Sequence, residues 1–174
     1  MPKRIVFTGP ESTGKTYLSQ KSASHFHAYY VPEYARNYLD SLGRSYLLSD
    51  IKNIEKGQLL SEKAAVQSRK KLIIQDTDFL TILIWYRYKY KLSPDRVRKY
   101  WQNNLPDLYL LCYPDFPWVE DHQRENPLDR SEIFEFYKSE IEVLQVPYYI
   151  LLGGRKQKMK SALSEISAAL GQVN

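Results

Sequence analysis

Arg4-Ile5-Val6-Phe7-Thr8-Gly9-Pro10-Glu11-Ser12-Thr13-Gly14-Lys15-Thr16 is the stretch that decides the fold. Its first five residues read as a buried strand, and Gly9-Pro10 stops it. The eight residues from Gly9 to Thr16 satisfy GxxxxGK[ST] at every specified position, and a helix is expected from Lys15 to about His25. Strand, glycine-rich turn and helix in that order make an anion cradle. Glycine admits torsions that curve successive N–H groups round a phosphate, and the helix adds its positive end. Lys15 can reach the β- and γ-phosphates of ATP, and the Thr16 hydroxyl can ligate Mg²⁺. Gly9, Ser12, Thr13 and Gly14 complete the expected ATP-binding loop. Glu11 inside it is less ordinary: beside a triphosphate its carboxylate either points outward to solvent or faces a base or the metal.

Outward from this stretch, short apolar runs alternate with helical ones. Strands are expected at 28–31, 71–76, 107–113 and 148–152. Helices are expected within 34–48 (broken at Gly43), from Ser49 as cap to about Lys70, and after Asp76 to about Tyr90. Others should run from Ser93 as N-cap, with Pro94 at the first helical position, to Trp101, from the capping-box-like Asp129-Arg130-Ser131-Glu132 to about Leu144, and over 156–170. Strands that are apolar throughout, separated by helices, predict an α/β chain with a parallel sheet covered on both faces. The expectation is therefore a three-layer P-loop NTPase fold, mostly five-stranded, in one domain over 1–174 with a lid at about 114–130. Ligands in such sheets sit beyond the carboxyl ends of the strands.

The composition is that of an ordinary globular domain, with 43% hydrophobic and 26% charged residues. One cysteine, Cys112, excludes an internal disulfide framework and a CxxC metal knuckle, and points to a reducing, cytoplasmic compartment. No apolar run approaches the ~20 residues of a membrane span. The net charge of +5 suits a polyanion partner, nucleotide or nucleic acid, or solubility alone. Trp85-Tyr86-Arg87-Tyr88-Lys89-Tyr90-Lys91 interleaves aromatics with bases as single-strand binders do. The same pattern fits a helix burying part of an aromatic face, so no nucleic-acid partner is expected. His25, His27 and His122 lack metal-ligand companions. The oligomeric state is left open.

A phosphate loop says which donor is bound and not what receives the phosphoryl group. No NKxD segment marks a switching GTPase. Small kinases need acids and arginines facing the loop, because phosphoryl transfer asks for positioning and charge neutralisation. Asp76 ends an apolar strand where a Walker B acid holds Mg²⁺. Asp78 either shares that site, handles the acceptor hydroxyl in place of Glu33, or caps the next helix. Glu33, after the second strand, can accept a hydroxyl proton or lie exposed in a turn, while Tyr34 and Arg36 can shape the acceptor pocket. Arg124 and Arg130 in the lid can close over the transferring phosphates. Trp118 can stack on a flat ring or anchor the lid, and Gly153 can border the adenine or simply form a turn.

Together, GPESTGKT at 9–16, PEYAR at 32–36, IIQDTDF at 73–79 and PWVEDHQR at 117–124 resemble the NadR-type ribosylnicotinamide kinase family over nearly the whole chain. That resemblance implies phosphorylation of the 5′-hydroxyl of nicotinamide riboside by ATP and Mg²⁺, giving nicotinamide mononucleotide for NAD biosynthesis. His122 stands where the family lid commonly has glycine. In bifunctional relatives an adenylyltransferase domain precedes this one; these 174 residues leave no room for it, so a stand-alone kinase is expected. A kinase for another nucleoside or nucleotide, or a regulatory P-loop ATPase without a small acceptor, are the rival readings.

Overall fold

β-Branched and leucine-rich runs build the sheet. In a computed structural model, which describes residues 1–119 and 128–171, the strands are β1 (Lys3–Thr8), β2 (Tyr29–Val31), β3 (Leu72–Asp76), β4 (Leu108–Cys112) and β5 (Tyr148–Leu151). All pair in parallel, in the order β2-β3-β1-β4-β5. Between and after them run α1 (Lys15–His25), α2 (Tyr34–Asp40), α3 (Leu48–Gln67), α4 (Phe79–Tyr90), α5 (Asp95–Asn103), α6 (Arg130–Val143) and α7 (Arg155–Gly171). The expected α/β architecture with five parallel strands is thus observed.

Alternation along the strands divides the core in two. Ile5, Phe7, Ile74 and Leu110 pack with Leu18 of α1 and Ala162 and Ile166 of α7. Val6, Tyr109 and Leu111 face the other way, onto a larger cluster with Ile51 and Ile54 of α3, Leu80 and Leu83 of α4, Trp101 of α5 and Phe134 of α6. Burying one such side chain is worth about 1.5–3 kcal/mol, against about 1 kcal/mol for a helix cap. The two apolar faces hold the layers together, and caps only trim helix ends.

The caps are where the sequence reading needs correction. Leu47, not Ser49, is the N-cap of α3: its N–H donates to Asp50 Oδ2 at 2.7 Å, and the Asp50 N–H donates back to the Leu47 carbonyl at 2.9 Å. Pro94 is itself the N-cap of α5 rather than its first helical residue. Asp129 does precede α6, but its side chain makes no cap; it accepts the Tyr88 hydroxyl instead. Within the expected lid, 120–127 with His122 and Arg124 lie outside the described residues, and Arg130 is already the first residue of α6.

Candidate active site

The phosphate loop leaves β1 by a run of unusual torsions. Gly9, Ser12 and Gly14 have φ of 124°, 57° and 87°. At Gly9 a side chain is also sterically excluded, because a Cβ would lie 2.7 Å from the Cys112 carbonyl oxygen of β4. The loop is braced from within: Thr13 Oγ1 and Lys15 Nζ both donate to the Pro10 carbonyl, at 2.9 and 2.7 Å. The start of the expected lid lies against it. Ser12 Oγ accepts the Val119 N–H at 3.1 Å, and the Phe116 ring stands where a Cβ on Gly14 would be 2.8 Å from it.

In front of the loop opens a cavity of about 380 Å³, walled by residues 11–17 on one side and by Glu33, Ala35, Arg36, Leu39 and Trp85 on the other. It continues into a smaller recess of about 80 Å³ that shares Glu11, Lys15, Glu33 and Trp85. That recess reaches Thr81, Ile84 and Tyr88 of α4 and Ile133 and Tyr137 of α6. The phosphate loop and the turn after β2 therefore face one another across one space.

Two acids frame it. Glu33, half-buried at the N-cap of α2, has its carboxyl pushed up to about 7 by burial and then by the Asp76 charge, with Lys15 and Arg36 pulling the other way. A carboxylate so placed changes protonation near neutrality, as a general base requires. Asp76 ends β3 opposite Phe7 and is 1% exposed, and neither of its oxygens has a hydrogen-bond partner of good geometry among the described residues. Burial raises its pKa, while Lys15, the Thr16 hydroxyl and Arg36 favour its charged form. A buried, unpartnered carboxylate is costly unless something positive meets it. Asp76 with Thr16 fits Mg²⁺, which takes one or two protein oxygens and fills its shell with water and phosphate. No cluster of three or more His, Cys, Asp or Glu side chains able to hold a metal occurs among the described residues.

Thr77 separates the two aspartates. Its φ of 65° is strained for a β-branched residue, at a cost of order 1–3 kcal/mol. Beyond it, Asp78 turns inward to cap α4, accepting the Leu80 N–H at 3.1 Å and the Tyr109 hydroxyl. Burial, with the Glu62 charge, pushes the Asp78 carboxyl up to about 7. Asp78 lines neither cavity.

The other expected site residues are brought together unevenly. Arg36 lines the cavity, but Tyr34 does not: its ring lies over Gly57 of α3 and its N–H donates to Gln58 Oε1 at 3.4 Å. Arg130 donates to the Phe116 carbonyl at 2.9 Å and lies 5.6 Å over the Trp118 ring, so α6 contacts the start of the expected lid. Gly153 has φ 86° and its N–H donates to Asp115, whose carboxylate pairs with Lys158. Trp85 was missed as a cavity wall. Thr81, Ile84, Trp85 and Tyr88 follow the spacing of one helix face, the signal that could have found it.

A family model, AAA_28, described as an AAA domain, matches residues 4–158. The chain belongs to that family. No curated protein matches it in sequence. Among solved structures it is similar to a NadR protein in complex with NAD and AMP-PNP, with TM-score 0.81 and 20% identity. A NadR protein in complex with NR follows at 0.80 and 19%. These matches cover 98% of this chain but 50% and 51% of the NadR chains, so it spans about half their length. Thymidylate kinase from Ehrlichia chaffeensis matches at TM-score 0.68 and 12% identity, over 97% of this chain and 98% of that one. The shared architecture is a P-loop kinase-like α/β fold. Among the described residues no helix is long and apolar enough to cross a membrane.

Proposed function

We propose that the chain is an ATP-dependent, cytoplasmic kinase that phosphorylates the 5′-hydroxyl of nicotinamide riboside to nicotinamide mononucleotide, for NAD biosynthesis. The observation that carries this reading is Glu33, a desolvated carboxyl facing Lys15 and the phosphate loop across a cavity walled by Trp85. In the proposed reaction the loop amides and Lys15 hold the ATP phosphates, and Thr16 and Asp76 would hold Mg²⁺. Bound there, the metal would neutralise charge on the β- and γ-phosphates. Glu33 takes the proton of the attacking hydroxyl, and Arg36 lines the acceptor side. Arg124 and Arg130 are assigned to the charge on the transferred group.

The acceptor's chemistry supports the choice among nucleosides. Nicotinamide riboside carries a flat cationic ring, which favours an aromatic wall such as Trp85 and acids such as Glu11 and Glu33. A nucleotide acceptor would instead bring further negative charge towards Glu11, Glu33 and Asp76, with Arg36 as the one basic residue of the described acceptor wall. A nucleoside panel scored by acceptor-dependent ADP release tests the assignment. Nicotinamide riboside should stimulate release most. Equal release with and without any nucleoside would point to the regulatory ATPase.

A further inference from the structure

Behind the cavity, on the α3 side of the sheet, lies a buried polar seam. Its centre is Glu62 of α3, 4% exposed, which accepts from Gln58 Nε2 at 3.0 Å, Gln75 Nε2 at 3.4 Å and the Tyr100 hydroxyl at 3.1 Å. Its counter-charge is Arg4, whose Nη2 stands 3.9 Å from Glu62 Oε2 and whose Nε donates to Gln75 Oε1 at 2.9 Å. Burial pushes the Glu62 carboxyl up, so the charge sits there at a cost. An apolar seam of similar volume is often as stable or more so. Stability alone gives no reason for this one.

The ends of the seam supply the reason. Gln58 Oε1 accepts the N–H of Tyr34, the residue after Glu33. Gln75 is the residue before Asp76, and strand alternation sends its side chain to α3 while Asp76 faces the phosphate loop. Beside Gln58, Gly57 has no side chain, and a Cβ there would overlap the Tyr34 ring. Helix α3 therefore holds the acceptor turn by both its ring and its N–H. We infer that Glu62, acting through Gln58 and Gln75, is the positioning residue that fixes Glu33 relative to Asp76. This rests on the kinase reading above.

The test uses Gln58→Met and Glu62→Gln, with amide hydrogen exchange of the free protein and steady-state kinetics run side by side. The kinetics use ATP and whichever nucleoside gives the greatest ADP release in the panel. Both variants should speed exchange in the peptide covering 33–36. Both should lower kcat, by about 10²-fold if the displacement approaches 1 Å, with the KM for ATP unchanged. Gly57→Ala leaves every polar group in place and displaces the Tyr34 ring. It should lower kcat in the same way, as a check on the turn's placement, and Gln58→Met decides the matter should Glu62→Gln fail to fold. Wild-type kcat in folded variants would overturn the inference, whether or not exchange rises. So would a loss of ATP affinity equal to the loss of kcat. A wild-type chain preferring another nucleoside refutes only the acceptor assignment, because the exchange and kcat arms do not depend on which nucleoside is used.

Discussion

The ammonium of Lys158 has no exposure to solvent and meets Asp115 Oδ1 at 2.6 Å, while donating to the Tyr113 carbonyl at the same distance. Asp115 in turn holds the N–H of Gly153, so one buried cation on α7 binds the segment after β4 to the turn after β5. Removing one partner of a buried pair strands the other, and Asp115 is 24% exposed, which softens the penalty. Lys158→Met should therefore cost about 3 kcal/mol, at the low end for such pairs. Urea denaturation should show a lower midpoint with an unchanged slope.

Asp50 gives a pH signature. Hydrogen bonds from Arg44 first, and then the Leu47 N–H, hold its carboxyl well below the usual carboxylate range. A depressed native pKa adds stability that is complete above the unfolded value near about 4. It is lost as pH falls through the native one. Asp50→Asn should thus be clearly less stable than wild type at about pH 7, and the gap should narrow steadily as the pH falls from about 4 to about 2. A gap of constant size in urea melts across that range would show that the charge is not what stabilises the start of α3.

Trp85 packs against Tyr46, ring centres 5.2 Å apart, and lines the cavity. Stacking of one base on an aromatic is worth about 1–3 kcal/mol. Trp85→Ala should accordingly raise the KM for nicotinamide riboside about 10-fold or more while leaving the KM for ATP alone. Trp85→Phe should recover part of the loss. A rise confined to the KM for ATP would place the acceptor ring elsewhere.

The donor half of the site was legible because its chemistry is local. Gly9, Gly14, Lys15 and Thr16 lie within eight residues, and backbone torsions alone shape the loop. Asp76 was legible for the same reason, as the last residue of an apolar strand. The acceptor half depends on packing between elements distant in sequence. Nothing local to Tyr34 announces that Gly57 will receive its ring, nor does the DTD run announce that Thr77 will turn Asp78 inward. Trp85 sat in a run whose bases and aromatics alternate, which masked the helix face it shares with Thr81 and Tyr88. The cap at Ser49 failed because Asp50, able to bond both Arg44 and the Leu47 N–H, moved the helix start back.

Steady-state turnover of Glu33→Gln and Asp78→Asn, each with ATP and nicotinamide riboside varied in turn, tests the account most directly. Glu33 lines the shared cavity, whereas Asp78 caps α4 and lines neither the cavity nor its recess. Glu33→Gln should therefore cut kcat by about 10²–10⁴-fold with ATP binding unchanged. Asp78→Asn should stay within a few-fold of wild type. Full turnover by Glu33→Gln, with loss in Asp78→Asn, would contradict the account and move the proton acceptor to Asp78.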